Sequence, residues 1–312
     1  MLKRFGLLFF IYLPLSLFSQ VQFEVIGEPI LVLDEDIYLM QPVWSPDGSW
    51  IALSGANYNE LWIVKPDGSS LRRLSEEASA GFGIEWSADS KEILTTVTKF
   101  EGAYRKNAIK IFNIEQSSER VLTDYAKEIP ALPRWTSDES QIYYYNGKNL
   151  EFINTGKQIK IDLLKPLYFL KNGNLYTQGT ADHLLASADV LSDQECLNIK
   201  ISPDGKKISY EVLGGNLFVI NSDGSQKVDL GRGYRARWSA DSEYLVYMIT
   251  EDDGYEFQSA DIFISPIDGS AKIRVTNSED QLEMNPCWSA DGNQIVYNEE
   301  KSGAIYLINI QR

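Results

Sequence analysis

Four basic residues occupy related positions in a chain that is otherwise acidic. Arg134, Lys200 and Arg237 each stand one residue before the start of a short repeated motif, and Arg235 lies two residues upstream of Arg237. The 312 residues include 29 Lys and Arg against 44 Asp and Glu, a formal net charge of −15. If the fold brings these positions together at a channel mouth, the cations can bind an anionic group. The alternative interpretation is that each cation pairs with a neighbouring carboxylate.

The residue types that other chemistry needs are scarce. His183 is the only histidine, so the sequence offers no histidine-rich metal site and no catalytic constellation, and we predict neither a metal nor a cofactor. The acidic run Asp252-Asp253-Gly254 lacks the ligand spacing of a calcium loop. The net charge argues against nucleic acid and anionic membrane surfaces as partners. Cys196 and Cys287 allow at most one disulfide, and the sequence leaves their pairing open.

A repeat accounts for most of the chain and defines the elements that carry these residues. An aromatic residue or Ile, then Ser or Thr, any residue and Asp form a pattern that begins at Trp44, Trp86, Trp135, Ile201, Trp238 and Trp288. Apolar runs follow each copy, several of them leading to Asp-Gly turns such as Asp67-Gly68 and Asp223-Gly224. Because Asp-Gly between apolar runs favours a tight hairpin, each unit is predicted to form four short antiparallel strands. Closing such units into a ring removes exposed ends.

These motifs resemble the TolB-type, WD40-like β-propeller repeat, whose consensus is a Trp-Ser-Pro-Asp-Gly turn, a Leu-Tyr-Val strand and a second Asp-Gly turn. The resemblance covers about residues 28–312. It implies an all-β fold, a single closed propeller of four-stranded antiparallel blades. It does not specify a function, since such propellers bind partners, cover peptidases and occasionally act as enzymes. TolB has a separate α/β domain before its propeller, and we expect neither that domain nor TolB's own activity here.

The repeat count and the chain ends predict how the ring closes. Six copies are clear, and a strand, Asn-Gly turn, strand pattern at Leu167–Tyr176, which repeats the pattern at Ile142–Glu151, indicates a degenerate seventh unit across about residues 165–195. We therefore favour seven blades, with six blades and an oversized third blade as the alternative. The last copy ends after its third strand, Ile305–Ile310, and Pro29–Leu33 matches the fourth strand of other units. We predict that Pro29–Leu33 completes the last blade and so leaves no long open edge.

Two long connections between the second and third strands of a unit are predicted to be binding loops. They are Thr98–Asn107 and Thr250–Asp261, and they lie on the same face of the ring as the acidic connections between blades. Aromatic residues on long loops of a rigid scaffold are typical of binding surfaces. The alternative is that the rings pack against their own loops. The aromatic residues in question are Phe100, Tyr104, Tyr255 and Phe257.

The N-terminus predicts export. Lys3 and Arg4 precede an apolar stretch, Phe5–Phe18, which is too short to span a bilayer, so residues 1–19 are interpreted as a signal peptide and residues 20–312 as the propeller domain. We expect a periplasmic, secreted or cell-surface protein with no stable membrane insertion. The predicted function is non-enzymatic binding of a protein or peptide partner of the bacterial cell envelope. The alternatives are a carbohydrate lyase or hydrolase, or a small-anion sensor, that uses the channel; the oligomeric state stays open.

Overall fold

A computed structural model describes residues 23–127, 131–161, 164–171, 174–178, 182–186 and 195–312. Within these ranges the chain forms β-strands and one short 3₁₀ turn at Ala56–Tyr58. The strands are arranged in antiparallel sheets whose neighbouring strands follow one another along the chain, except that the first strand pairs with the last. This is the all-β propeller that the repeat predicts.

The described strands group into seven sheets, numbered here by the order of their innermost strands along the chain. The first sheet contains β2 (Leu39–Trp44), β3 (Ile51–Gly55), β4 (Leu61–Val64) and β5 (Arg72–Ser75). The second contains β6 (Glu85–Trp86), β7 (Glu92–Glu101), β8 (Tyr104–Asn113) and β9 (Ser118–Val121). The third contains β10 (Arg134–Trp135), β11 (Gln141–Tyr145) and β12 (Leu150–Asn154), and the fourth contains β13 (Tyr168–Lys171), β14 (Asn174–Gln178) and β15 (Asp182–Ala186).

The remaining three sheets have four strands each. The fifth contains β16 (Cys196–Ile201), β17 (Lys207–Val212), β18 (Leu217–Asn221) and β19 (Val228–Asp229). The sixth contains β20 (Tyr234–Trp238), β21 (Tyr244–Asp252), β22 (Phe257–Pro266) and β23 (Ile273–Arg274). The seventh combines the two ends of the described chain, with β24 (Glu283–Trp288), β25 (Gln294–Glu299), β26 (Ile305–Gln311) and β1 (Glu24–Leu33).

Strand β1 closes the ring, as the sequence predicts. It pairs antiparallel with β26 from Glu24 opposite Gln311 to Leu33 opposite Ile305, so the closing strand is longer than the predicted Pro29–Leu33. Phe23, just before this strand, is buried with its ring edge-on to Tyr244 at 4.8 Å between centroids. Strand β24 of the same sheet packs on β2 of the first sheet. The seventh sheet therefore contacts the first, and the ring is closed.

In four of the seven described sheets, the Trp of the repeat ties its sheet to the one before it. Its indole nitrogen donates to the carbonyl of the residue that directly precedes the motif in the preceding sheet. The observed bonds run from Trp86 to Val43 (3.1 Å), Trp135 to Glu85 (3.4 Å), Trp238 to Lys200 (3.1 Å) and Trp288 to Arg237 (3.2 Å). Trp44 departs from this pattern, because its buried indole nitrogen has no hydrogen-bond partner among the described residues.

The Ser and Asp of the repeat are turn residues. The Asp47 carboxylate accepts hydrogen bonds from the Ser45 hydroxyl at 2.7 Å and from the backbone N–H of Ser49 at 3.0 Å. The residue after this Asp is left-handed, with φ of 74° at Gly48, which explains why Gly is favoured there. In the second sheet Ser90 takes this left-handed position, and its hydroxyl accepts the backbone N–H of Asp47. The motif therefore specifies turns and contacts between sheets.

Candidate functional site

Four inner strands contain a β-bulge three residues before the Trp or Ile of the repeat. The pairing register of β2, β16, β20 and β24 shifts at this point. The bulged residues are left-handed although none is Gly: Gln41 (φ 51°), Asn198 (φ 50°), Arg235 (φ 57°) and Asn285 (φ 55°). A bulge re-aims its side chain and often occurs beside a functional site. Three of the four, Gln41, Asn198 and Arg235, line a cavity in the channel.

Two cavities that share part of their lining lie in the channel. The first has a volume of about 410 Å³ and includes the bulged residues in its wall, and the second has a volume of about 630 Å³. Seven residues line both cavities, and we call this shared set of residues the waist. The waist consists of Val43, Ile84, Arg134, Tyr143, Tyr168, Lys200 and Arg237.

Three of the four predicted basic residues meet at the waist, where one carboxylate faces them. The Arg134 guanidinium forms an ion pair with Glu85 at 2.8 Å, and the Lys200 amine lies 4.0 Å from the same carboxylate oxygen. Arg134 also stacks over the Tyr168 ring, with 4.4 Å from the guanidinium carbon to the ring centroid. Arg237 has no carboxylate within ion-pair distance among the described residues. Local pairing, the alternative interpretation, therefore holds for Arg134 and fails for Arg237.

The environment of Lys200 disfavours its charged form. Burial lowers the pKa of Lys200 to about 7, and the nearby positive charges of Arg237 and Arg134 act in the same direction, while Glu85 opposes them. The side chain still has 29 % of its surface exposed to the channel, so the amine can be reached by a ligand. An anion placed at the waist would favour the protonated amine.

Arg235 lies at the mouth of the channel with partners of its own. Its guanidinium donates to the Asn198 side-chain oxygen at 3.2 Å and to the Tyr58 hydroxyl at 3.1 Å. Its backbone N–H donates to the buried Glu211 carboxylate. Burial raises the pKa of Glu211 although the side chain of Asn198 and the charge of Arg235 oppose the shift. Arg235 is therefore not part of the cation cluster at the waist.

Sequence patterns did not identify several residues of the channel. Tyr143 and Tyr168 form part of the waist, and Lys165 lines the larger cavity, where burial lowers the pKa of its amine. Tyr168 and Lys165 fall in the degenerate unit, which lacks the Trp motif that marks the other inner strands. Glu85 occupies the same position of the repeat as Arg134, Lys200 and Arg237, but its pairing with Arg134 depends on the arrangement of two sheets.

The two predicted binding loops are extended hairpins instead. Strands β7 and β8 continue to Glu101 and Tyr104, and β21 and β22 continue to Asp252 and Phe257, with cross-strand pairing along their length. The physical reason is that backbone pairing continues past the sheet and ends in short turns that contain Gly102 and Gly254, both with positive φ. The connections predicted as loops are therefore mostly paired strand. Exposed fractions are 65 % for Phe100, 65 % for Tyr104, 96 % for Tyr255 and 42 % for Phe257.

Both hairpins lie on the face that carries the connections between sheets, as predicted. Ala78, in the connection before the second sheet, bridges to Thr98, and Leu282, in the connection before the seventh sheet, bridges to Ala260. The tips belong to the second and sixth sheets, and no ring contact joins Phe100 or Tyr104 to Tyr255 or Phe257 within the described residues. The hairpins therefore present two separate aromatic tips.

Some carboxylates of the connections are engaged in contacts inside the protein. Glu77 forms an ion pair with Lys110 at 2.6 Å and accepts a hydrogen bond from Tyr125. Glu283 is buried and accepts a hydrogen bond from Ser278, and burial raises the pKa of Glu283 to about 6. These carboxylates are therefore less available to a partner than a count of acidic residues indicates.

The remaining sequence hypotheses concern metals, disulfides and membranes. In the described ranges no group of His, Cys, Asp or Glu is arranged to hold a metal ion. The Asp253 carboxylate accepts backbone N–H groups of its own turn, from Tyr255 and Glu256. No disulfide joins Cys196 to Cys287, which lie in different clusters of the core. Of the residues that the structure describes, no helix is long and apolar enough to cross a membrane.

Comparison of the sequence with protein-family models and with curated proteins gives no match. Solved structures do share the fold. A putative TolB from Agrobacterium tumefaciens is similar over 90 % of this chain and 93 % of its own, with 14 % identity and a TM-score of 0.55. An oligogalacturonate lyase in complex with manganese is similar over 93 % and 96 %, with 11 % identity and a TM-score of 0.54.

TolB from Acinetobacter baumannii is also similar, with 14 % identity, a TM-score of 0.48 and 89 % of this chain covered. The matched region spans 65 % of the length of that TolB. At these identities the likeness establishes the fold alone. The chain therefore has a TolB-like β-propeller fold, and the same fold occurs in the putative TolB and in the oligogalacturonate lyase.

Proposed function

We propose that the protein is a non-enzymatic binding protein of the bacterial cell envelope, and that its two hairpin tips hold a protein or peptide partner. The single observation that carries this proposal is the exposure of four aromatic side chains at the ends of two paired hairpins. Tyr255, for example, has 96 % of its surface exposed. Large rings on rigid elements anchor interfaces at a low cost in conformational entropy.

The charges of the two tips suggest how a partner is oriented. The tip of β7 and β8 carries Lys99, Arg105 and Lys106 around a single carboxylate, Glu101. The tip of β21 and β22 is acidic, with exposed carboxylates at Glu251, Asp252, Asp253 and Glu256. A partner that spans both tips would place acidic groups against the first and basic groups against the second.

Affinity measurements on tip variants test the proposal. The wild-type protein is immobilised and partners are recovered from an envelope extract, and the affinity of the recovered partner is then measured for each variant. We expect Phe100→Ala/Tyr104→Ala and Tyr255→Ala/Phe257→Ala each to weaken binding about thirtyfold, the effect of losing roughly 2 kcal/mol at an interface anchor. The on-rate should also fall as ionic strength rises to about 0.15 M, because both tips are charged.

The matched control is Phe152→Ala, on an outer strand of the third sheet. Phe152 has 38 % of its surface exposed, close to the 42 % of Phe257, but lies away from the tips. The Phe152→Ala variant should bind the partner with the same affinity as the wild type. Full affinity in both tip variants would rule the proposal out.

Export forms part of this proposal. Residues 1–22 lie outside the described ranges, so the signal peptide at 1–19 remains a prediction from the sequence. We propose that the mature chain begins at Gln20 in the periplasm, in the medium or at the cell surface. Mass analysis of the exported protein tests this, and a retained Met1 or a lipid-modified residue would contradict it.

We also propose that each of the seven sheets is one blade. What supports this is that the fourth sheet contributes Tyr168 and Leu175 to a core shared with Ile208 and Tyr210 of the fifth sheet, as separate blades do. In the six-blade alternative, the third and fourth sheets together form one oversized blade. An experimental structure that covers residues 155–195 distinguishes the two.

A second candidate function is binding or turnover of a small anionic molecule in the channel. The specific observation in its favour is the presence of Arg237 and Lys200 beside a single carboxylate that is already paired. A protein of the same fold is an oligogalacturonate lyase, which makes a carbohydrate lyase or hydrolase the enzyme class to consider. An enzyme would release product, whereas a sensor would bind its ligand unchanged.

A further inference from the structure

The waist of the channel has more positive charge than its own carboxylate can balance. Arg134 and Glu85 form one pair at 2.8 Å, which leaves Arg237 and Lys200. With Lys200 uncharged, the local excess is a single positive charge on Arg237, and with Lys200 protonated it is two. A cation in a partly desolvated site is stabilised by a bound anion. The charge balance therefore favours an anionic group, such as a carboxylate, beside Arg237 and Lys200.

The walls of the cavity at the waist indicate the rest of the ligand. Its volume of about 410 Å³ lies within the range of small-molecule sites. Much of its lining is aromatic or aliphatic, with Tyr145, Phe169 and Leu197 above the waist. Phe169 stacks between the rings of Tyr145 and Tyr176, at 5.1 and 5.7 Å between centroids, so this wall is rigid. A flat apolar body would pack across the edges of these stacked rings.

We propose that the waist is a binding site for a small organic carboxylate with a flat, largely apolar body. Arg237 holds the carboxylate through its paired N–H donors, and Lys200 adds a second charged hydrogen bond. The body of the ligand occupies the 410 Å³ cavity against Phe169 and Tyr145. The proposal specifies the class of ligand for the second candidate function, binding of a small anionic molecule in the channel. It does not depend on a partner at the hairpin tips.

The site predicts a specific pH dependence. The charged and titratable groups that face Lys200 are Glu85 on β6, Arg134 on β10, Arg237 on β20 and Cys287 on β24, and Tyr143 and Tyr168 complete the waist. Burial raises the pKa values of Cys287, Tyr143 and Tyr168, so these three groups stay uncharged near neutral pH. Lys200 has a pKa of about 7 and loses its proton as the pH rises through that value. Carboxylate binding should weaken over the same range.

Calorimetric titration with 2-naphthoate tests the proposal, with the neutral 2-naphthamide as the matched ligand. We expect the wild type at pH 6 to bind the carboxylate at least tenfold more tightly than the amide. Arg237→Gln should reduce this preference to less than threefold. Two control variants should keep the wild-type preference for the carboxylate. Arg232→Gln removes an exposed cation outside the channel. Tyr255→Ala/Phe257→Ala changes only a hairpin tip.

Two further measurements keep the test decisive if Arg237→Gln does not fold. Arg237→Lys should bind 2-naphthoate with intermediate affinity. In the wild type the affinity should fall at least threefold between pH 6 and pH 8.5, and Lys200→Met should abolish this dependence. The proposal is overturned if the wild type does not bind 2-naphthoate, if it binds the amide equally well, or if affinity is independent of both Arg237 and pH. Loss of partner binding in the tip variants with intact naphthoate binding would separate the two functions.

Discussion

Arg235 donates a hydrogen bond across the mouth of the channel to the hydroxyl of Tyr58, with 3.1 Å between the guanidinium nitrogen and the phenol oxygen. The two residues are 177 positions apart and belong to the sixth and first sheets, between which the seventh sheet lies. Both have left-handed backbones, with φ of 57° and 61°. The Tyr58 ring also contacts Phe82 edge-on at 5.1 Å between centroids. The bond thus links two sheets that are not sequential neighbours.

Removing the Tyr58 hydroxyl should destabilise the protein measurably. Tyr58→Phe keeps the ring on Phe82 but deprives Arg235 of one acceptor, which should cost about 1 kcal/mol in the free energy of unfolding. Urea denaturation followed by tryptophan fluorescence measures the difference. Tyr104→Phe is the control, because Tyr104 is 65 % exposed at a hairpin tip, and it should not change stability. Equal stabilities for Tyr58→Phe and wild type would show that the bond contributes nothing.

The indole hydrogen bonds between sheets should be visible in a matched pair of Trp variants. Trp44 and Trp288 are both buried at the same position of the repeat, but only Trp288 donates to a carbonyl of the preceding sheet. Trp288→Phe should therefore be more destabilising than Trp44→Phe by about 1 kcal/mol, since it leaves the Arg237 carbonyl without its donor. Denaturant unfolding of the two variants measures this. A larger loss in Trp44→Phe would contradict the pattern.

Closure by β1 should account for a large part of the stability. A chain that begins at Phe23 retains the whole strand, whereas one that begins at Asp34 lacks it and exposes the edge of β26. The loss of ladder hydrogen bonds and of buried Phe23 should cost several kcal/mol, out of a total of about 5–15 kcal/mol. Thermal unfolding should show a drop of about 10 °C or more, or no cooperative transition. Similar melting of the two chains would refute this role.

Glu283 should make the protein less stable as the pH rises from about 4.5 to 6. Because burial raises its pKa to about 6 in the folded state, the folded protein holds the proton more tightly than the unfolded chain, for which 4.5 is the ordinary value. Folding is then favoured at low pH and penalised above pH 6, by about 2 kcal/mol. Glu283→Gln should be more stable than wild type at pH 7.5 by up to this amount and equal to it at pH 4.5. A difference that does not change with pH would be contrary to this expectation.

The features that follow from local patterns could be predicted from the sequence. The Trp and Asp motif marks the inner strands and their turns because both depend on residues within a few positions of one another. The closing strand was recognisable because Pro29–Leu33, followed by Trp44, matches Lys272–Thr276, followed by Trp288. The fourth sheet was predicted from a repeated hairpin pattern, although its Trp motif is missing.

The channel could be predicted only in part. Its basic residues were identified from their common position, but the pairing of Arg134 with Glu85 joins residues 49 positions apart on two sheets. Residue type indicated the bulges only in part, because Asn198 and Asn285 favour a left-handed backbone whereas Gln41 and Arg235 do not. The hairpins were mistaken for loops because their exposed tips are charged, which hides the strand pattern that the backbone pairing reveals.

Site-specific photo-crosslinking in the cells that produce the protein tests the central claim most directly. A photoreactive phenylalanine analogue is placed at Phe100 or Tyr255 on the hairpin tips, and at Asp67 or Asp223, which are exposed in turns on the opposite face. The account predicts a discrete crosslinked protein or peptide from both tip positions and none from the two turns. Adducts from Asp67 or Asp223 alone, or no adduct from either tip, would contradict the assignment of the hairpin tips as the partner-binding surface.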